Sequence, residues 1–264
     1  MGFDIDYLIE TAKDAGKEIL KIYNSDDFGI TEKKDNSPLT KADTMSHDLI
    51  SERLVSRYPD IPVISEEGKN IPFEIRKQWK YYWLIDPLDG TKEFINRNGE
   101  FTVNIAFVEH GRPVMGVIYI PVQDTIYFGR QGSGAFKQYG TERVRIKPLE
   151  QEYGKRVGIS SRSHSHQREL DFYRQAGVDD VVSAGSSLKF CYIAEGRAQF
   201  YYRFNPTMEW DTAAGHAIAQ SAGAMVFNLT YNKESLKNSS FIVSGLRDRD
   251  VEDLIRRELG MEEG

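Results

Sequence analysis

A chain of 264 residues with 40% hydrophobic and 12% aromatic content has apolar material for one or two substantial cores, and a mean hydropathy of −0.51 excludes an integral membrane protein. The formal charge of −6 excludes broad adhesion to polymeric nucleic acid or anionic membrane, leaving room for a local basic pocket that suits a small phosphorylated ligand. The opening "MGFDIDYLIETAKDAG" has no apolar run of signal-peptide length, which points to the cytoplasm, and the single Cys191 reads as a small packed residue, not a disulfide partner or nucleophile.

In chain order, "FDIDYLIETAKDAGKEILKIY" sets Ile5, Leu8, Ile9, Ala12, Ile19 and Ile22 on one stripe at helical spacing, ended by "NSDDFG". Residues 25 to 40 are polar and contain glycine, which predicts a mobile loop just before Asp43. A second helix is predicted through "KADTMSHDLISERLVSRYP", with Met45, Leu49, Ile50 and Leu54 as its apolar face and Pro59 just beyond. Strand-like runs follow in "IPVIS", "YYWLID", "FTVNIAFVEH", "RPVMGVIYIP" and "DTIYFGR", with "EHGRP" a hairpin turn and "RQGSGAF" a glycine-bearing one. Helices followed by an antiparallel meander define an α+β unit.

Beyond "IKPLEQEYGK" the pattern becomes a short alternation. Strands are predicted at "RVGIS", "DVVSA", "AQFYYR", "AMVFN" and "SFIVS", and helices at "SHQRELDFYRQAG", "SLKFCYIAEG", "WDTAAGHAIAQSAG" and "DRDVEDLIRREL". This gives an α/β second half. The predicted boundary lies near residues 148 to 155, separating an N-terminal α+β domain (1–150) from a C-terminal α/β domain (151–264). A site built by both halves lies at their junction.

The chemistry concentrates in "YYWLIDPLDGTKEF". "YYWLI" reads as a fully buried strand, so Asp86 and Asp89 stand where ionised carboxylates carry several kcal/mol of desolvation cost unless paired or metal-bound. Pro87 and Gly90 make "DPLDG" a turn that aims both carboxylates and the Leu88 carbonyl at one point. A plain acidic turn is the simpler reading of that motif alone. Two further acidic clusters, Glu66 with Glu67 in "VISEEG" and Asp211 in "MEWDTAAGHA", follow a strand or head a helix; separately they suit an exposed turn and a helix cap. Together, three such clusters of hard oxygen donors point to Mg2+ and to phosphoryl transfer to water.

"WLIDPLDGTKEF" with "EWDTAAGHAIAQSAGA" resembles the paired signature of the inositol monophosphatase superfamily of Mg2+-dependent, lithium-sensitive phosphatases, and within it the 3′(2′),5′-bisphosphate nucleotidases. The resemblance covers nearly the whole chain and implies a layered αβαβα sandwich. It implies that Glu66, Asp86 and the Leu88 carbonyl hold one Mg2+, and that Asp86, Asp89 and Asp211 hold a second, with two or three ions in all. Thr91 and Asp43 resemble the pair that orients the attacking water, although Asp43 also suits a helix N-cap. Gly90 and Thr91 would meet the phosphate through their amides.

"DGTKEF", "SSRSH", "AGSSLKF" and "YYRFNP" are similar to the nucleotidase versions of these segments. Ser161, His164, Ser186, Lys189 and Arg203 would then line the nucleotide pocket, with Lys189 and Arg203 on the phosphate that is not cleaved. Each of these side chains is also of a kind that usually faces solvent or a polar turn. The implied reaction is hydrolysis of the 3′-phosphate of adenosine 3′,5′-bisphosphate, clearing a by-product of sulfur metabolism, with 3′-phosphoadenylyl sulfate as a second substrate. Other readings are a broad inositol monophosphatase or fructose-1,6-bisphosphatase, and a non-catalytic nucleotide-binding sensor. Both monomers and homodimers fit the resemblance.

Overall fold

The computed structural model describes residues 3–25, 27–32, 38–149, 155–162 and 165–261. The first half opens with α1 (Ile5–Tyr23), the short strands β1 (Thr31–Glu32) and β2 (Pro38–Leu39), and α2 (Lys41–Arg57). Then come β3 (Val63–Ser65), α3 (Phe73–Arg76), β4 (Tyr81–Asp89), α4 (Thr91–Ile95), β5 (Thr102–Glu109) and β6 (Arg112–Ile120). After a 3-10 turn the meander continues through β7 (Thr125–Arg130), β8 (Gly134–Tyr139) and β9 (Glu142–Ile146). The second half contains β10 (Val157–Ser161), α5 (Gln167–Gln175), β11 (Asp180–Ala184), α6 (Leu188–Ala194), β12 (Phe200–Arg203) and β13 (Thr207–Met208). It ends with α7 (Glu209–Ala222), β14 (Met225–Phe227), β15 (Lys237–Asn238), β16 (Phe241–Ser244) and α8 (Arg249–Leu259).

The larger sheet runs in sequence order from β3 to β9, and the smaller is ordered β11-β10-β12-β16-β14. β3 runs parallel to β4, and every other neighbour in the larger sheet is antiparallel. In the smaller sheet β10 is parallel to both β11 and β12, whereas β16 is antiparallel to β12 and β14.

Side-chain alternation along β4 explains the layering, because successive residues of a strand face opposite ways. Trp83 and Ile85 pack with α1 and α2 residues such as Leu8, Ile19 and Ile50, while Tyr82 and Leu84 share a core with Phe190, Ala214 and Ile218 from α6 and α7. The far face of the smaller sheet packs Phe172, Val251 and Ile255 of α5 and α8 around Phe200 and Tyr202. The layers therefore run helix, sheet, helix, sheet, helix, the expected αβαβα sandwich.

Helix α7 fits between two sheets because its inner positions are small. A Cβ on Gly116 of β6 would lie 2.4 Å from the Ala214 carbonyl oxygen, so sheet and helix backbones touch directly there. No helix among the described residues is long and apolar enough to cross a membrane.

Most expected elements stand where the periodicity placed them. One face was misassigned: Met45 is exposed, and α2 instead buries Ala42, Asp43, Ser46, Ile50 and Leu54. Its inward stripe is partly polar because it faces the end of β4. The strands β8 and β9 were not anticipated.

Candidate metal and phosphate site

β4 pairs regularly with β5 as far as Asp86 opposite Asn104, and pairing resumes with Asp89 opposite Thr102. Three steps on β4 match two on β5, so Pro87 and Leu88 form a bulge. A regular strand would send residues 86 and 89 to opposite faces; the bulge turns both carboxylates to the same side. The bulge is held by Ser46 Oγ, which donates to the Pro87 carbonyl at 2.7 Å, and by the Leu88 amide, which donates to Asp86 Oδ1 at 3.1 Å. The Leu88 side chain enters the core under α1 and α2 while the residue still borders the cleft.

The cleft has a volume of about 300 Å³. It is bordered by Glu66, Asp86, Leu88, Asp89, Gly90, Thr91 and Asp211, together with Ser161, Ser186, Lys189 and Arg203. Those are the sequence-predicted residues, apart from Asp43, which lies one contact behind Thr91, and His164, which lies outside the described residues. His166, the other histidine of "HSH", accepts from the Arg168 amide at 3.1 Å at the start of α5 and stacks on Phe204. The predicted loop over residues 25 to 40 falls in part outside the described residues.

Glu66, Asp86 and Asp211 present one carboxylate oxygen each within 4.8 Å of one another. Asp86 is buried, and burial together with the charges of Glu66, Asp89 and Asp211 pushes its pKa well above the carboxylate range. Asp89 is raised to about 7, first by burial and then by Asp211, against the opposing pull of Lys189. Asp211 is raised to about 6 by burial and Glu66, although Thr207 Oγ1 and the Met208 amide donate to it. These shifts have a common origin in burial of the carboxylates, to which the mutual repulsion of their negative charges adds. An all-oxygen, charge-rich donor set of this kind suits a hard divalent cation.

Asp43 serves two partners with different oxygens. Oδ2 accepts from the Thr40 amide at 2.7 Å and from Thr40 Oγ1 at 2.6 Å, while Oδ1 accepts from Thr91 Oγ1 at 3.2 Å. Asp43 is the third residue of α2 in a capping box, with Thr40 as the N-cap. Asp43 is therefore not the N-cap that its position suggested but the third-residue partner of that cap, and its second oxygen is the one that holds Thr91. Gly90, just before α4, has φ +92, a left-handed conformation that opens the turn bearing Thr91.

Also in the cleft, Lys189 is buried, and its Nζ donates to the carbonyl oxygens of Ala184 at 3.2 Å and Ser186 at 2.5 Å. Burial lowers its pKa to about 8, with Asp89 opposing. Two bonds leave a third proton of the ammonium group for a ligand. Ser186 has φ +44, and its buried hydroxyl has no hydrogen-bond partner among the described residues. Arg203 Nε donates to the Asn205 carbonyl at 3.1 Å.

The sequence reading missed Glu93, Ser187, Phe190, Tyr201, Thr207 and Thr212, all of which border the cleft. Glu93 is buried, although nothing in "TKEF" distinguishes it from a surface glutamate. Tyr201 had a signal: it stands two residues before Arg203 on one strand and therefore on the same face.

The fold and an acidic site of this construction define a class of metal-dependent phosphatases. The profile of the inositol monophosphatase family matches residues 4–259, and the chain belongs to that family. It is similar to the 3′(2′),5′-bisphosphate nucleotidase CysQ of Escherichia coli strain K12, with 44% identity over 247 residues that span 91% of this chain and 99% of that protein. The Haemophilus influenzae CysQ nucleotidase is 34% identical over 242 residues, 89% of this chain and 90% of its own. The crystal structure of CysQ from Bacteroides thetaiotaomicron superposes with a TM-score of 0.82 at 43% identity, covering 93% of this chain and 99% of that one. The expected resemblance to nucleotidases within the wider family agrees with these relatives.

Proposed function

We propose that the protein is a Mg2+-dependent phosphoric monoester hydrolase that removes the 3′-phosphate of adenosine 3′,5′-bisphosphate, giving AMP and phosphate, and that also accepts 3′-phosphoadenylyl sulfate. One observation carries the reading: a single cleft gathers the carboxylates of Glu66, Asp86, Asp89 and Asp211 together with the cationic Lys189 and Arg203. A substrate with two phosphates on one nucleoside matches that lining, since the cleaved group needs cations brought by carboxylates and the retained group needs fixed cationic donors.

Glu66, Asp86, the Leu88 carbonyl, Asp89 and Asp211 would hold two or three Mg2+ ions. When bound, Mg2+ supplies neutralisation of phosphate oxygens, a lowered pKa for water and stabilisation of the leaving ester oxygen. The chain itself positions the reactants. Thr91 gives its proton to Asp43 Oδ1, so its lone pairs face outward as acceptors for the hydrogen of an attacking water. Asp43 stays anchored through Oδ2 on Thr40, which keeps Oδ1 fixed for that task. Lys189 and Arg203 bind the retained phosphate, Arg203 through its planar fork and Lys189 as a point charge. Ser161 and the unpartnered Ser186 hydroxyl supply neutral donors beside them.

A substrate panel tests the assignment. With Mg2+, phosphate release from adenosine 3′,5′-bisphosphate is expected to be far faster than from inositol 1-phosphate or fructose 1,6-bisphosphate, and Li+ is expected to slow it. The reverse ranking refutes the substrate and leaves the phosphatase; an inert wild type that binds the nucleotide supports the sensor reading.

A further inference from the structure

Asn104 lies in an otherwise apolar run, "TVNIAFV", on the face of β5 that looks toward the second half of the chain. It is buried together with Thr102 and Ser187. Its Nδ2 donates to Asp89 Oδ2 at 3.3 Å, and its Oδ1 accepts from Ser187 Oγ at 2.8 Å and Thr102 Oγ1 at 3.1 Å. The two hydroxyls also lie 2.8 Å apart. The amide therefore uses both its ends: one holds a carboxylate of the cation-seeking cluster, the other holds the residue that follows Ser186 and precedes α6.

The same loop is fixed from its other side. The Gly185 amide donates to Glu100 Oε2 at 2.7 Å, and Arg162 clamps both oxygens of Glu100 at 2.8 and 2.7 Å. Gly185 and Ser187 are thus both tied to the first half, and Ser186 between them is held at positive φ with its hydroxyl free for a ligand. Buried polar networks of this kind are costly when half satisfied and specify one geometry when complete.

We propose that Asn104 is a positioning residue that couples cation binding at Asp89 to the geometry of the Ser186–Lys189 phosphate loop, with Ser187 as the relay. The inference rests on the metal-dependent reading of the cleft. Asn104 does not itself border the cleft; it sets the orientation of a ligand carboxylate, a role whose loss typically weakens metal affinity about 10- to 100-fold. Because one amide serves both partners, a change at Ser187 is transmitted to Asp89 without any contact between those two residues.

The experiment is calorimetric titration of the full-length, substrate-free protein with Mg2+. Wild type, Asn104→Ala, Ser187→Ala and the double variant are compared, together with the KM and kcat of each for adenosine 3′,5′-bisphosphate. Asn104→Ala is expected to weaken Mg2+ binding at least about 10-fold. Ser187→Ala, a small change that leaves the core packing in place, is expected to weaken it about 3- to 10-fold while raising KM more than it lowers kcat. The double variant should bind no worse than Asn104→Ala alone, the non-additivity of residues acting in one chain. Wild-type Mg2+ affinity in Ser187→Ala, or additive losses in the double variant, overturns the relay and leaves the metal site standing. A wild type that binds no Mg2+ overturns the metal-dependent reading itself, and the relay with it.

Discussion

Asp89→Asn is the perturbation whose sign separates a cation site from an ordinary acidic cluster. In the metal-free fold Asp89 titrates at about 7 instead of 3.8, because burial and the charge of Asp211 disfavour its ionised form. The folded state then holds more protons than the unfolded one between those two values, so stability falls as pH rises through that window and the full cost is present above it. Three pKa units correspond to roughly 4 kcal/mol, which solvent access to the half-buried carboxylate reduces to about 2. The asparagine carries no charge and still accepts from Asn104. Melting in EDTA at pH 8 should therefore rise by about 5 °C in Asp89→Asn, and the difference should shrink toward pH 4. With saturating Mg2+ the order inverts, because the wild type gains binding free energy that the variant lacks, and phosphate release should be lost. A variant that melts lower than wild type in EDTA, or that Mg2+ stabilises as strongly, refutes the argument.

Thr91→Val keeps the shape of the residue and removes the hydroxyl that donates to Asp43. It should lower kcat by about 100- to 1,000-fold with the fold intact by circular dichroism, and Thr91→Ser should recover most of the loss. Gly116→Ala pushes a methyl group against the Ala214 carbonyl, where neither sheet nor helix backbone can yield, and should lower stability by about 3 kcal/mol, read as a fall in the urea midpoint at constant slope. His216 on α7, within 3.1 Å of the Tyr231 hydroxyl, is lowered by burial to about 4 from an ordinary 6.5. The unfolded chain takes up its proton first, so stability drops by up to about 3 kcal/mol as pH falls from 6.5 to 4. His216→Gln should flatten that part of the profile, and an equally steep loss in the variant would show that another group is responsible.

The carboxylates were legible because charge at the end of a buried strand is expensive, and that cost is visible in "YYWLIDPLD" without coordinates. Their convergence was expected from "DPLDG" read as a turn, but its cause was not legible: it depends on a bulge at Pro87 and Leu88 inside β4, which changes the face of Asp89 through pairing with β5, and a single strand carries no record of its partner's register. Asn104 was hidden for the same reason, as one polar residue in an apolar run gives no sign of what it faces. β9 was missed because it is the sheet's edge strand, where charged outward residues blur the alternation: it reads "ERVRI", with four exposed positions and one buried. β8 was missed because its first residues belong to "RQGSGAF", which reads as a turn. For Asp43 the difficulty was logical. Capping the helix and holding Thr91 were weighed as alternatives, whereas a carboxylate has two oxygens and here each has its own hydrogen-bond partner.

The middle helices bear on how the chain becomes a protein at all. The inner face of the larger sheet is covered by α6 and α7, which are synthesised only after the whole of that sheet. A nascent chain that has emerged as far as Ile146 thus presents Tyr82, Leu84, Ala106, Val108 and Ile118 to water with no partner yet made. Cutting between Ile146 and Val157 should give two fragments that aggregate separately and recover activity when co-expressed, each supplying the surface the other lacks. The cleft would then report reassembly directly, since Asp89 and Asp211 come from opposite sides of the cut.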